Sequence, residues 1–446
     1  MKPARSLLFL VALLVSDFSL GFAPVKAAEF PKDTNKIESL TPEQARKLAA
    51  EFPGLDVVLQ MKGVGRTVWA GGLPLNGLMT LDAETATALA GYRKETLLLD
   101  GLTTLDAGAA RALAEFKGRA LLLNGLTTLD TDTAKALAAF KGTYLPLSGL
   151  TTLDADTAEA LAEFKGKMLY LDGLPTLHAA TAKALAEFKG DSLFLNGLTT
   201  LDAETAKALA EFKRHGLVLG GLTTLDAATA KALAEFAGGL LNLSGLTTLD
   251  AETAKALAAN PKWNGQLPNL TALDFDTAKA LAGFKGDNLY LMGLPTLDAD
   301  TAKALAEFKG DSLFLNGLTT LDADTAKALA GSKAWDGQLP ELTILDAETA
   351  KALVAAQKWD GDLPKLTTLD SPDSIAIAQA LATREGRVAL PNLKKISPKT
   401  LSALIEKEDV EIPYIETLEL ISEPDGSATD DFVIPKWLEK QQNQKR

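Results

Sequence analysis

Apolar positions along this chain follow two rhythms that alternate without pause. Counting from Leu297, the residues Ala299, Ala302, Leu305 and Phe308 recur at every third position and trace one stripe of a short helix. Asp300, Lys303 and Glu307 fall on the opposite face, in an acid-base-acid order that supports an exposed helix. Asp298 is placed to cap the helix start through its carboxylate. Lys309 and Gly310 mark its end, and Gly310 is expected to take the left-handed conformation there. The rhythm then tightens. Leu313, Phe314 and Leu315 form a short apolar run that predicts a strand, with the two leucines on one face and Phe314 on the other. Asn316-Gly317 predicts a turn, and Leu318 and Leu321 return the chain to the core. A helix of about three turns is too short to persist alone, so it must dock on the strand beside it.

That unit recurs. The 23 residues 301–323 repeat residues 181–203 letter for letter, and the closing leucine returns every 24 residues from Leu81 to Leu369. A fixed period of this length predicts a repeat array built from one strand and one helix per unit. Consecutive strands separated by a helix pair in parallel through right-handed crossovers. Strands pack about 4.8 Å apart and helices about 8–10 Å apart, so such a stack curves with its strands inside.

The pattern Leu313-x-Leu315-x-Gly317-Leu318-x-x-Leu321, followed by an alanine-rich helix, resembles bacterial leucine-rich-repeat proteins. The resemblance spans residues 81–369 and implies an α/β solenoid: a curved right-handed stack with parallel strands on the concave side and short helices on the convex side. It also implies a recognition surface on the concave sheet. The chain departs from the family at one position. Where the family carries an asparagine ladder, three residues after the second strand leucine, this chain has leucine, as at Leu318. Thr319 and Thr320 stand next to it as possible replacements, and a turn of different shape is the alternative.

Around the array the sequence loosens. Residues 1–27 resemble an export signal, with Lys2 and Arg5 ahead of the apolar run Leu7 to Val15 and small residues around Ala27. Residues 28–80 read as an irregular N-terminal cap, in which Leu40-Thr41-Pro42 copies the start of a unit. The array runs from 81 to 369. Three of its units lose the phenylalanine that ends the helix and gain Trp263, Trp335 or Trp359 before the strand. These tryptophans are expected to fill the vacated core volume. Residues 370–421 read as a C-terminal cap, with the phase slipping by three residues between Leu369 and Ile396. Residues 422–446 read as a flexible polar tail.

Composition then narrows the chemistry. The chain has no cysteine, so disulfides and thiol catalysis are excluded. Its formal charge is −13, and loss of residues 1–27, with Lys2, Arg5, Lys26 and Asp17, would leave −15. An acidic balance disfavours phosphate backbones, so no nucleic-acid partner is expected. No segment beyond the signal is long enough to span a membrane. The two histidines, His178 and His215, have no partners at motif spacing, and no metal, phosphate-loop or nucleophile motif occurs. The reading is a non-catalytic protein without cofactor or metal, secreted, periplasmic or at the cell surface. Candidate binding residues are those between the two strand leucines, which face away from the core: Tyr170, Phe194 and Val218, then Tyr290 and Phe314 after a polar break at Asn242 and Gln266. Contiguous exposed apolar side chains mark binding sites, and aromatic residues dominate hot spots. A protein or peptide is the expected partner, with a glycan as the alternative. A structural spacer of the envelope, with no specific ligand, is the competing reading.

Overall fold

The computed structural model describes residues 31, 33–61, 65–423 and 437. Residues 1–27, read as an export signal, and most of residues 422–446, read as a tail, lie outside the described residues. Within them each unit folds as its rhythm requires. In the unit that starts at Leu297 the helix is Ala299–Ala306, and the Asp298 carboxylate accepts from the backbone N–H groups of Asp300 and Thr301. Eight residues make about two turns, one fewer than expected. Asp caps of this kind hold their own protons weakly. At Asp154, the N–H of Thr157 and then its hydroxyl lower the carboxyl pKa below the ordinary value. His178, which replaces the Asp of one unit, caps without any side-chain hydrogen bond.

Gly310 does not end its helix through a left-handed turn, because it has no positive φ. Its requirement is space. A methyl group there would run into the Phe308 ring and the carbonyl oxygens of Gly286 and Asp287. The phenylalanine ring folds over the glycine two residues later, and regular units elsewhere repeat the arrangement, as Phe116 with Gly118 and Phe140 with Gly142. Phe116, Phe140, Phe164 and Phe188 stack in this way at 6.2 Å per step.

The strands are three residues long once the array begins. They are β1 (Leu55–Met61), β2 (Gly65–Pro74), β3 (Thr96–Leu98), β4 (Ala120–Leu122), β5 (Tyr144–Pro146), β6 (Met168–Tyr170), β7 (Ser192–Phe194), β8 (Gly216–Val218) and β9 (Leu240–Asn242), ordered in space as in sequence. β1 and β2 are antiparallel, and every later pair is parallel. Strand leucines pair with strand leucines, as Leu193 with Leu217. They join the helix stripe in one continuous core. Ring spacings show the curvature. The aromatic pair Tyr170 and Phe194, on the outer face of the sheet, is 4.3 Å apart, against 6.2 Å between the phenylalanines at the helix ends. The stack fans open toward its helices and closes toward its strands.

The polar ladder is present, displaced by two residues. The residue directly after the second strand leucine carries it. The Asn76 amide oxygen accepts from the Asp100 N–H at 3.0 Å, Asp100 accepts from the Asn124 N–H at 2.9 Å, and Asn124 accepts from the Ser148 N–H at 2.9 Å. Asn196 accepts in the same way from the Gly220 N–H at 2.8 Å. Leucine occupies the family's ladder position because the ladder has moved off it. The threonines add two further rungs. Thr151 donates its hydroxyl to the Thr127 carbonyl at 3.3 Å, and buried Thr229 reaches back to the Leu201 carbonyl at 3.3 Å.

The ladder makes one position electrostatically awkward. Burial pushes the Asp100 carboxyl pKa up, against the lowering effect of its bonds to Asn124. Its ionised form at neutral pH therefore costs stability, and that cost disappears as pH falls through the raised pKa. Asp100→Asn keeps an accepting oxygen, as Asn76 and Asn124 do at the equivalent positions. The variant is expected to melt higher than the parent at pH 7, and the gain should shrink toward zero below about pH 4. Melting temperatures across that range check it. The Asp154 type of cap has the opposite sign, stabilising above the ordinary carboxylate pKa and failing below it.

The three tryptophan units interrupt the sheet rather than continue it. Trp263 bridges to Leu241 and Trp335 to Leu313, an offset of 22 residues in place of 24. Tryptophan thus takes the register position of the first strand leucine as well as the volume of the missing phenylalanine. The leucine's own position is Gly265, Gly337 or Gly361, with φ of 65°, 79° and 87°. The two displaced residues are absorbed at that glycine. All three tryptophans are buried. Beyond the first interruption, β10 (Asn288–Tyr290) and β11 (Ser312–Phe314) form a separate parallel pair.

At the C-terminal end Leu369 pairs with Ile396, which confirms the three-residue slip. Arg384 sits in the longer turn, donates to the carbonyls of Trp359 and Arg387, and lies over the Trp359 ring at 5.2 Å. Glu423, read as part of a free tail, is buried and accepts from the Lys399 N–H at 2.9 Å, in the first turn of the last helix, Pro398–Ile405. Trp437 packs on the core. The molecule is a leucine-rich-repeat solenoid of parallel strands and short helices.

Candidate recognition face

The outer face of the sheet is formed by the residues between the strand leucines. The alternation of side chains along each strand puts them opposite the core, as the pattern predicts. Leu169 and Leu171 belong to the main core, while Tyr170 lies between them in a second apolar cluster with Phe194 and Val218. The facing is as expected; the exposure is not. Tyr170, Phe194 and Val218, predicted to form an exposed row, are 2, 6 and 4% exposed. The rings of Tyr170 and Phe194 stack at 4.3 Å and 16° and so cover each other's faces. Tyr144 and Met168 close the cluster, and the Tyr170 hydroxyl meets the Met168 sulfur at 3.1 Å. Burial, with the nearby Tyr144 and Asp172, raises the Tyr170 hydroxyl pKa. Toward the N-terminus Leu98, Ala120 and Leu122 form a further buried cluster, against which Tyr144 also packs. The concave side of the array closes on itself because adjacent strands bring like side chains into van der Waals contact.

The second predicted pair differs. Tyr290 and Phe314 also stack, at 4.6 Å and 4°, yet both remain half-buried. Gln266 bridges to Tyr290 on one side, and exposed Gln338 stands beyond Phe314 on the other. The Asn316 amide donates to Gln338 at 3.0 Å and to the Asp336 carboxylate at 3.4 Å. Burial raises the Asp336 and Asp360 carboxyl pKa values, and each gains from a neighbouring acid, Asp360 and Asp362 respectively. Arg387 answers that charge, pairing with Asp362 at 3.3 Å and Glu411 at 2.9 Å. An apolar pair with a polar, hydrogen-bonding rim is therefore accessible at the C-terminal part of the sheet.

One residue of this face was not read from the sequence. Met292 takes the ladder position, where other units carry Asn, Asp, Ser, Gly or Pro, and is 42% exposed. Its departure from the repeat was the available signal. His178 and His215 are both exposed, on different units. Among the described residues no group of three or more His, Cys, Asp or Glu is placed to hold a metal ion, and no helix is long and apolar enough to cross a membrane.

No protein-family model matches the chain, and no curated protein matches it. Solved structures with a similar fold include the complex of TLR13 with ssRNA13, at 19% identity and a TM-score of 0.38 over 80% of this chain and 48% of that one. The Toll–Spätzle complex from Drosophila matches at 15% identity and a TM-score of 0.43, over 72% of this chain and 42% of that one. The leucine-rich-repeat-containing protein LegL7 from Legionella pneumophila matches at 17% identity and a TM-score of 0.37, over 57% and 96%. The chain spans about half the length of the first two. The fold assignment stands on the chain's own period, strand order and core.

Proposed function

We propose that this protein is a non-catalytic binding scaffold that recognises a protein or peptide on the C-terminal part of its sheet face. The observation that carries the reading is the partly exposed stack of Tyr290 and Phe314, flanked by Gln266, Met292, Asn316 and Gln338. Rigid strands hold these side chains, so a partner would lose little freedom in ordering them. Amide groups around an aromatic centre suit hydrogen bonding to peptide backbone. The signal-like pattern of residues 1–27 supports a secreted, periplasmic or cell-surface protein, and the repeat suits a bacterial origin. A glycan remains the alternative ligand. The spacer reading draws support from the self-covered row Tyr170, Phe194 and Val218, which behaves as structure rather than surface.

The double variant Tyr290→Ser/Phe314→Ser separates these readings. It is expected to keep the parent's far-ultraviolet circular dichroism and to weaken capture of the partner from native envelope or medium by about tenfold or more. Treating the captured fraction with glycosidases then distinguishes a glycan from a protein ligand. Capture of the same molecules at the same affinity by both proteins would leave the spacer reading standing. Phe194→Ser serves as contrast: its buried position predicts lost stability, not a selective binding defect.

A further inference from the structure

The outer face of the sheet changes its charge where it changes its exposure. In the regular units, charged residues just before the strands pair across neighbouring units, Arg119 with Glu95 at 3.5 Å and Lys167 with Asp191 at 3.8 Å. The Arg119 guanidinium also lies over the Tyr144 ring at 5.7 Å, which puts this row at the rim of the outer face. From β10 onward the row turns acidic. Asp287 and Asp311 stand one residue before β10 and β11, and Asp336 and Asp360 follow the buried Trp335 and Trp359. Among the described residues none of these four carboxylates is in an ion pair. Arg387 closes the row, and it is already shared between Asp362 and Glu411.

Asp336 adjoins the aromatic pair. Trp335 bridges to Leu313, and the Asp336 N–H donates to the Leu313 carbonyl at 3.2 Å, so Asp336 takes the register position beside Phe314. Asn316, two residues after Phe314, donates to the same carboxylate at 3.4 Å. Tyr290 covers one face of the Phe314 ring from the preceding strand, and the other face looks toward the unit of Asp336. The fold does not need the charge. Asp336 and Asp360 each accept from the N–H two residues on, at 3.2 and 2.9 Å, and neutral Asn264 does the same at 3.2 Å in the first tryptophan unit. Resting on the reading of this face as a recognition site, we propose that its partner is a basic peptide segment. One arginine or lysine side chain lies over the Phe314 ring with its charge at Asp336, and a second basic residue reaches Asp311 or Asp360. An aromatic ring beside unneutralised acid favours such cations and opposes acidic partners. Burial penalises the charges of Asp336 and Asp360, and a docked cation relieves that penalty. Three unit steps separate Asp287 from Asp360, about 14 Å, which an extended segment of about four residues covers.

Fluorescence anisotropy on the purified full chain tests this with a labelled nonapeptide of alternating arginine and serine. The control peptide carries citrulline in place of arginine, which keeps the shape and loses the charge. The parent is expected to bind the arginine peptide about tenfold or more tighter than the citrulline peptide, and to lose about tenfold in affinity between about 0.05 and 0.5 M salt. Asp336→Asn/Asp360→Asn should weaken the arginine peptide by about tenfold or more while circular dichroism stays that of the parent, because asparagine keeps both turns. Glu211→Gln/Glu235→Gln removes the same charge just past the ends of the helices Ala203–Ala210 and Ala227–Leu233, and should bind as the parent does. Equal affinity for the two peptides, no binding of either, or equal losses in the two double variants overturns the proposal. Capture of the native partner separates this failure from that of the recognition face itself. If Tyr290→Ser/Phe314→Ser abolishes capture and Asp336→Asn/Asp360→Asn leaves it intact, the partner is not basic and only the present proposal falls. If neither pair of substitutions changes capture, both readings fall.

Discussion

Leu209→Ala is expected to cost about 2–5 kcal/mol and to damage the array locally before it damages it globally. Leu209 is fully buried in the helix Ala203–Ala210 and belongs to the continuous core. Removing its isobutyl group leaves a cavity that the unit has few means of closing. The Phe188 and Phe212 rings beside it are locked at 6.3 Å in a stack that continues to Phe164, and Gly190 leaves the Phe188 ring no room for rearrangement. Each unit touches only its neighbours, so the loss is transmitted through ladders and stacks rather than through long-range contacts. Hydrogen exchange should therefore show lost protection centred on residues 201–249, decaying toward both ends. Uniform loss from the first unit to the last would contradict a linear array.

The period and the facing were legible in the sequence, because both follow from spacing alone. Leu313 and Leu315 point inward and Phe314 outward in any strand, and Asp298 caps any helix that begins at Ala299. What escaped the sequence depends on how units approach each other. Gly310 was read for its backbone freedom, yet it is required because the Phe308 ring occupies the space of its side chain. The ladder was sought at Leu318, although the chain carries it on Asn124, Asp100 and Asn196, two positions earlier. Tyr170, Phe194 and Val218 were read as exposed because a single strand leaves that face open. Stacked strands at 4.3 Å ring spacing close it. The tryptophan units were correctly read as core substitutions, but the two-residue shift at Gly265 is a positive-φ event that no apolar pattern announces. The candidate site followed the same logic. The pair Tyr290 and Phe314 stays accessible because tryptophan units interrupt the sheet on both sides of it, and that interruption is visible only once strands are paired.

Those interruptions predict where the molecule comes apart. Trp263→Ala is expected to cost about 3–5 kcal/mol and to divide the array into two cooperative blocks. Between Leu240–Asn242 and Asn288–Tyr290 the sheet is reduced to single bridges at Trp263 and Gln266. The polar ladder is also broken there, since the Asn264 and Asn242 side chains accept from N–H groups within their own units, at Gln266 and Ser244. The phenylalanine stack is missing its ring at Asn260, and Trp263 fills the gap, packing on Phe284 at 4.8 Å and 59°. With tryptophan removed, the junction keeps the row of helices, Ala251–Ala258 against Phe275–Ala282, and isolated hydrogen bonds such as those of the Asn260 and Asn269 amides to the Phe236 and Ser244 carbonyls. Urea denaturation should then resolve two transitions, with residues up to about 258 protected in hydrogen exchange after those beyond 274 have opened. Phe164→Ala provides the comparison. It removes a ring of similar importance from a regular unit, where strand pairing and ladders survive on both sides, so one transition should persist. Trp263→Phe tests the cause. The indole N–H has no hydrogen-bond partner among the described residues, so tryptophan serves here by volume, and phenylalanine should restore most of the coupling. A single transition for Trp263→Ala, with protection lost evenly along the chain, would show that the helices alone carry cooperativity across the junction.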